Sequence, residues 1–332
     1  MKELIRKLVE SFGPVGYEDR VRSIIREEIQ GYADQISVGK LGDLIAVKKG
    51  SGRGQRVMLV AHMDEIGLIV THIDRRGYAR VAPLGGVFPM YSLGGRVRFA
   101  DGRLGVIDLE YREDKTKTPT LDQLYVDLGA KDKASCPVKV GDVAIFHQTL
   151  EVVGQRLTAK AMDDRVGCAM LIETLRRLRS TPHEVYFVFS VQEETTSVGA
   201  QTAAYRIQPD VAIAVDVTDT GDTPKAPPMA VTMGQGPAIK VRDTGMIADP
   251  RVKDWMITRA TEAKIPYQLE IFQGGTTDVQ MVQMTREGVP SGGLLMPGRH
   301  IHSQSEMIDL ADVENGVKLL LALLKKPIDL EA

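Results

Sequence analysis

Val57-Met-Leu-Val-Ala-His62-Met-Asp64 opens on five apolar residues rich in strand formers and ends on an imidazole and a carboxylate. A short apolar run without alternation is the pattern of a strand buried on both faces of an α/β sheet, and this one delivers His62 to the strand's end. Upstream, Leu4, Ile5, Leu8 and Val9, then Val21, Ile24, Ile25 and Ile29, recur at helical spacing, with Gly13-Pro14 between the two runs. Downstream of Asp163 the rhythm continues with helices over 165–178, 250–263, 278–287 and 310–324. Strands are expected over 185–191, 211–215, 267–272 and 292–296, and a Thr-, Asp- and Pro-rich loop over 218–228. Alternating strands and helices predict an α/β fold with a mixed, mostly parallel sheet flanked by helices.

Between about Gly67 and Val153 the pattern changes to short strand-like runs at 68–73, 95–99, 105–109, 123–128 and 142–146, and Asp101-Gly102 signals a hairpin between two of them. This stretch reads as a small β-barrel or sandwich inserted into the α/β domain. Residues 1–66 and 154–332 then form the α/β domain, and residues 67–153 the inserted β domain.

With 42 basic against 44 acidic side chains the formal net charge is −2, so no overall field draws the 332-residue chain to nucleic acid or to an anionic membrane. Small molecules or peptides are the better-matched substrates. The two cysteines, Cys136 and Cys168, lie far apart, and Cys168 sits in an apolar run that reads as a buried helix, which argues against a disulfide. The charged, amphipathic start is unlike a signal peptide and no stretch reaches about 18 consecutive apolar residues, so a cytoplasmic location is expected.

Five motifs fall at or just beyond expected strand ends, where open α/β sheets place their ligands: His62-Met63-Asp64, Asp163-Asp164-Arg165, Glu193-Glu194, Asp216, and His300-Ile301-His302. Singly, an Asp after a strand is usually a cap and paired glutamates a solvated face. Together, each follows an apolar run that buries its neighbours, and buried carboxylates need a compensating partner. Imidazole with carboxylate is the ligand chemistry of zinc, cobalt and manganese, and one carboxylate can bridge two ions.

In this order the motifs resemble those of the tetrahedral aminopeptidases, a dinuclear-metal group related to the bacterial glutamyl aminopeptidases; Gly274-Gly275-Thr276 and Asp312-Val-Glu extend the likeness over nearly the whole chain. The resemblance implies a zinc-exopeptidase fold with a PDZ-like inserted barrel, and two divalent cations per subunit, zinc or cobalt. It implies that His62 and Asp216 hold one ion, that Glu194 and His302 hold the other, and that Asp163 bridges both. Glu193 is then the general base toward a bridging water, while Asp64 accepts the free ring N–H of His62 and so sets its tautomer. A cis peptide bond between Asp163 and Asp164 is implied as well. So are peptide substrates, cleaved at their N-termini, and an assembly of dimers, paired through the β domain, into a tetrahedral dodecamer.

The chain departs from the family at Thr195–Val198, where Val-Gly-x-x-Gly-Ala is usual, and at His300, where Tyr is common. His72, His147 and His183 are assigned no function. In a strand, His300 and His302 would share a face; His302 is the expected ligand. The site chemistry alone leaves open a metal-dependent deacylase or carboxypeptidase. A glycosidase using Glu193 and Glu194 leaves the histidines unexplained, and a non-catalytic assembly protein leaves the whole ligand set without a purpose.

Overall fold

The computed structural model describes every residue except Arg53, Lys115, Asp329, Glu331 and Ala332. Arg56–His62, buried from its second residue onward, lies at the centre of the main sheet. Glu184–Ser190 pairs with it in parallel on one side and Val211–Thr218 on the other, and Ser291–Arg299 runs parallel beyond Val211–Thr218. Toward both edges the pairing is antiparallel: Leu44–Lys48 and Gln35–Val38 at one, Glu306–Asp309, Arg156–Ala159 and Glu151–Val153 at the other. The sheet is therefore mixed, with a parallel centre. From Arg56–His62 the chain goes first to one neighbour and later to the other, which opens a crevice beyond the strands' C-terminal ends.

Strand residues of period two divide the core between the two faces. Val57, Leu59 and Ala61 join one cluster with the helices Lys2–Val9, Asp19–Ile29, Met162–Arg177 and Leu310–Leu324, while Met58 and Val60 join a second with Val198–Ile207 and Val279–Gln283. The uninterrupted apolar run in the sequence is the consequence of these two covered faces.

Among the described residues, six antiparallel strands close into a barrel, in the order Gly67–Ile73, Ala79–Leu84, Leu124–Asp127, Leu104–Leu109, Arg96–Phe99 and Val143–Phe146, around a separate apolar core. The hairpin at Asp101-Gly102 is present: Gly102, at φ 93°, donates to the Phe99 carbonyl at 2.9 Å, and Arg103 N donates to the Asp101 carboxylate at 3.0 Å. After the barrel, Glu151–Val153 already pairs with the main sheet through Arg156–Ala159.

Several elements lie outside the sequence expectations. Leu44–Lys48 is a buried strand too short to show a period, and Ala79–Leu84 contains Pro83, a poor strand signal. Val198–Ile207 is a helix whose buried stripe is mostly alanine, Ala200, Ala203 and Ala204. The helix expected over 278–287 ends at Gln283, ahead of Arg286 and Gly288, which take positive φ of 56° and 101°. Among the described residues no helix is long and apolar enough to cross a membrane, and both cysteines are free.

Candidate metal centre

The crevice at the strand ends gathers the sequence-nominated groups around a cavity of about 650 Å³ whose lining includes His62, Asp163, Glu193, Glu194, Asp216 and His302. His62 closes its strand and is 2% exposed. Asp163 begins the segment leading into the long helix, with non-helical backbone at Asp163 and Asp164 and a cis bond between them, as the family likeness implied. Gln192 and Ser197 flank Glu193–Thr196 with left-handed φ of 59° and 51°, a tight turn that presents both glutamates to the cavity.

Asp163 stands between the two imidazoles. Its Oδ1 lies 2.9 Å from His62 Nε2 and its Oδ2 3.5 Å from His302 Nε2. Glu194 Oε2 is 3.4 Å from His302 Nε2, while Glu193 Oε2 and Asp216 Oδ1 lie 3.9 and 4.0 Å from His62 Nε2. A ring nitrogen of His62 and one oxygen each of Asp163 and Glu194 lie within 4.8 Å of one another, and so do ligand atoms of His62, Asp164 and Asp216. Asp164 is otherwise engaged, accepting from His62 N at 3.2 Å and Gly167 N at 3.0 Å.

Asp64 is placed differently from the expectation that its carboxylate takes the His62 ring N–H. Its backbone carbonyl is nearest His62 Nδ1, at 3.1 Å, with the carboxylate oxygen at 3.5 Å. The carboxylate accepts from Glu193 N and Glu194 N, both at 3.1 Å, and so ties the strand end to the glutamate turn. The backbone N–H groups of that turn are stronger calls on a buried carboxylate than a ring nitrogen that already has a carbonyl.

Three buried carboxylates outside the sequence nomination complete the frame. Glu306 accepts from Asp163 N and His302 N, both at 3.0 Å. Glu18 accepts from Gln192 N at 3.2 Å and Gly16 N at 2.7 Å. Asp278 accepts from the Ser190 hydroxyl and leaves its Oδ1 without a partner. The local signs are that Glu306 lies four residues past His302 and Glu18 two past Gly16; the contacts to Asp163, Gln192 and Ser190 cross more than 80 residues.

His300 lies elsewhere. It and His302 take positive φ, 61° and 59°, so they form a turn beyond the strand end and do not share a face. His300 lines a separate cavity of about 430 Å³ with Tyr91 and Gln304. Of the departing segment, Thr195, Thr196 and Ser197 line the main cavity.

Burial without enough positive charge dominates the electrostatics. It pushes Asp216 up to about 8, helped by Asp163, and Asp278 to about 7. Glu193 and Glu306 are also raised, burial being the main cause. Burial opposes the charged form of His302, but hydrogen bonds to Asp163 and Glu194 outweigh it and hold its pKa at about 12. Burial likewise acts to raise Asp163, yet His302 and His62 bring it below the ordinary range. No Lys or Arg lies among the described residues of the lining. An anionic bowl with two imidazoles and no fixed cation is the donor set of divalent metal ions, so these residues fit a dinuclear centre.

One wall comes from the barrel. A Cβ added to Gly86 would meet His302 Nδ1 at 2.4 Å, and one on Gly85, whose φ is 79°, would meet Glu194 Cβ at 2.9 Å. Gly86→Ala is therefore expected to displace His302. Since a misplacement of about 1 Å can cost roughly a hundredfold in rate, kcat/KM should fall by at least tenfold at unchanged fold by circular dichroism; an unaltered kcat/KM would show that the wall yields instead.

Residues 42–319 match the family model for M42 glutamyl aminopeptidases. An aminopeptidase structure from the archaeon Desulfurococcus kamchatkensis superimposes with TM-score 0.93 at 39% identity, covering 97% of this chain and 94% of that one. A TET aminopeptidase from a marine sediment archaeon of the Thaumarchaeota gives TM-score 0.94 at 36% identity, with 98% and 96% covered. The TET1 peptidase of Pyrococcus horikoshii, which can assemble into a tetrahedron or a large octahedral shell, gives 0.88 at 31% identity, with 98% and 99% covered.

Proposed function

The chain belongs to the M42 glutamyl aminopeptidase family, and from that premise we propose how its residues remove N-terminal residues from peptides. His62 and Asp216 hold one divalent ion, Glu194 and His302 the other, and Asp163 serves both. The observation that carries this is the placement of the two Asp163 oxygens toward two different imidazoles, 2.9 and 3.5 Å away. Zinc or cobalt suits the imidazole–carboxylate set. When bound, the ions supply an acidified water and polarise the scissile carbonyl.

Glu193 handles the proton. Its carboxylate faces the cavity beside His62, takes a proton from the attacking water and returns it to the departing amine. Asp64 and Glu18 anchor the glutamate turn, Asp278 holds the Ser190 hydroxyl at the end of the strand before it, and Glu306 couples Asp163 to His302, so that the groups are placed before substrate arrives. A deacylase or carboxypeptidase built on this set is disfavoured by the family match along 42–319. The test is a panel of free-amine, N-acetylated and C-terminally amidated peptides given to the metal-loaded protein. Hydrolysis should require the free amine and tolerate the amide; the reverse pattern would overturn the reading.

We further propose that residues 67–153 form a unit for dimerisation on a catalytic domain of residues 1–66 and 154–332, and that the dimers build a tetrahedral dodecamer. The assemblies of the P. horikoshii peptidase support this. So does the barrel surface, where Phe88, Met90, Tyr91 and Tyr111 are 52%, 57%, 56% and 88% exposed. Light scattering is expected to give a mass near twelve times 36.4 kDa; a dimer would remove the cage, and a fully active monomer would remove both.

A further inference from the structure

Apart from the six groups assigned to the metals and to proton transfer, the described residues lining the cavity carry one charge, the carboxylate of Asp219. Asp219 follows directly on the strand Val211–Thr218, at the same rim as Asp216. Its side chain lies exposed at this rim and hydrogen-bonds to no other described group. The loop that carries it is braced: Thr220 Oγ1 donates to Asp222 at 2.6 Å, and Asp222 accepts from Arg299 Nε at 2.9 Å and from a terminal guanidinium nitrogen at 2.7 Å. That pairing also occupies Arg299, so it is not free to receive an anionic substrate.

We propose that Asp219 selects substrates whose N-terminal residue carries a cationic side chain, lysine or arginine, and that the enzyme disfavours glutamate. This deepens the aminopeptidase reading and rests on it. The substrate's α-ammonium is one carbon from the carbonyl that undergoes attack, and so falls among Glu193, Glu194 and Asp163. Asp219, exposed at the rim and hydrogen-bonded to none of these, is matched to the longer reach of an ammonium or guanidinium at the end of a side chain. Elsewhere the wall is neutral, and Phe272 and Met281 offer apolar surface for the methylene stem. A glutamate side chain, by contrast, would enter an anionic bowl with no Lys or Arg among its described lining residues.

The test measures kcat/KM of the metal-loaded protein for lysyl-, arginyl-, leucyl- and glutamyl-p-nitroanilide. Lysyl and arginyl substrates should lead and glutamyl should trail. Asp219→Asn should lower the lysyl-to-leucyl ratio by about ten- to a hundredfold, the worth of one charge-assisted contact, and Asp219→Lys should move the preference toward glutamyl. The lysyl preference should also shrink as salt is raised. A glutamyl preference in the unmodified protein overturns the inference. So does an unchanged ratio in Asp219→Asn, including a common fall for all four substrates, which would place Asp219 at the α-ammonium. Absence of turnover on all four substrates by the unmodified protein would instead overturn the aminopeptidase reading beneath it.

Discussion

Glu193→Gln is expected to lower kcat by about 10²- to 10⁴-fold, the usual contribution of a positioned general base, while metal content stays at that of the unmodified protein. An amide has nearly the shape of the carboxylate and cannot accept a proton from water. The Glu193 backbone N–H still donates to Asp64, so the turn keeps its place. Glu194→Gln separates the two neighbours. Its Oε2 lies 3.4 Å from His302 Nε2, among the groups assigned to a metal, so this change should weaken metal binding, and excess metal should restore part of the rate. Steady-state kinetics with metal analysis on both variants decides the matter. If Glu193→Gln lost metal and Glu194→Gln kept it, the roles within the pair would be exchanged.

Asp163→Ala should abolish measurable turnover and reduce binding at both metal positions together. Among the described residues only Asp163 places its two oxygens toward both imidazoles, whereas Asp216 lies near His62 and Glu194 near His302. Removing Asp216 or Glu194 should therefore impair one position more than the other. Titration of the stripped protein with zinc or cobalt should saturate near two ions per chain in the unmodified protein. Full activity at one ion per chain would overturn the dinuclear reading, and retention of both ions by Asp163→Ala would remove Asp163 from its shared place.

How much of this could be read from the chain differs from residue to residue. His62, Asp163, Glu193, Glu194 and Asp216 each follow or close an apolar run, and strand ends in such a sheet converge on one crevice, so local pattern was enough to nominate them. His302 against His300 was decided by family likeness, because the alternation argument assumed a strand and the chain turns there instead, with φ of 61° and 59°. Beyond the four-residue spacing of Glu306 from His302, Glu306, Glu18 and Asp278 carried no usable signal. Glu306 reaches Asp163 across 143 residues and Glu18 reaches Gln192 across 174, so their roles exist only once the sheet has brought the segments together. Asp219 sits in a stretch that reads only as a polar loop, and its meaning comes from what shares its cavity: no fixed cation among the described lining residues, and an Arg299 already taken by Asp222.

By itself the amino-acid sequence determined the α/β character, the interruption by a β insertion and the chemistry available at the strand ends. These follow from periodicities of two and 3.6 residues and from residue types, which are properties of short stretches. The tertiary structure alone decided which oxygen faces which imidazole, which buried carboxylates hold backbone N–H groups, and that Gly85 and Gly86 bring the barrel against Glu194 and His302. Those outcomes depend on distances of a few ångströms between segments far apart in the chain, and close packing of the folded molecule is what sets them.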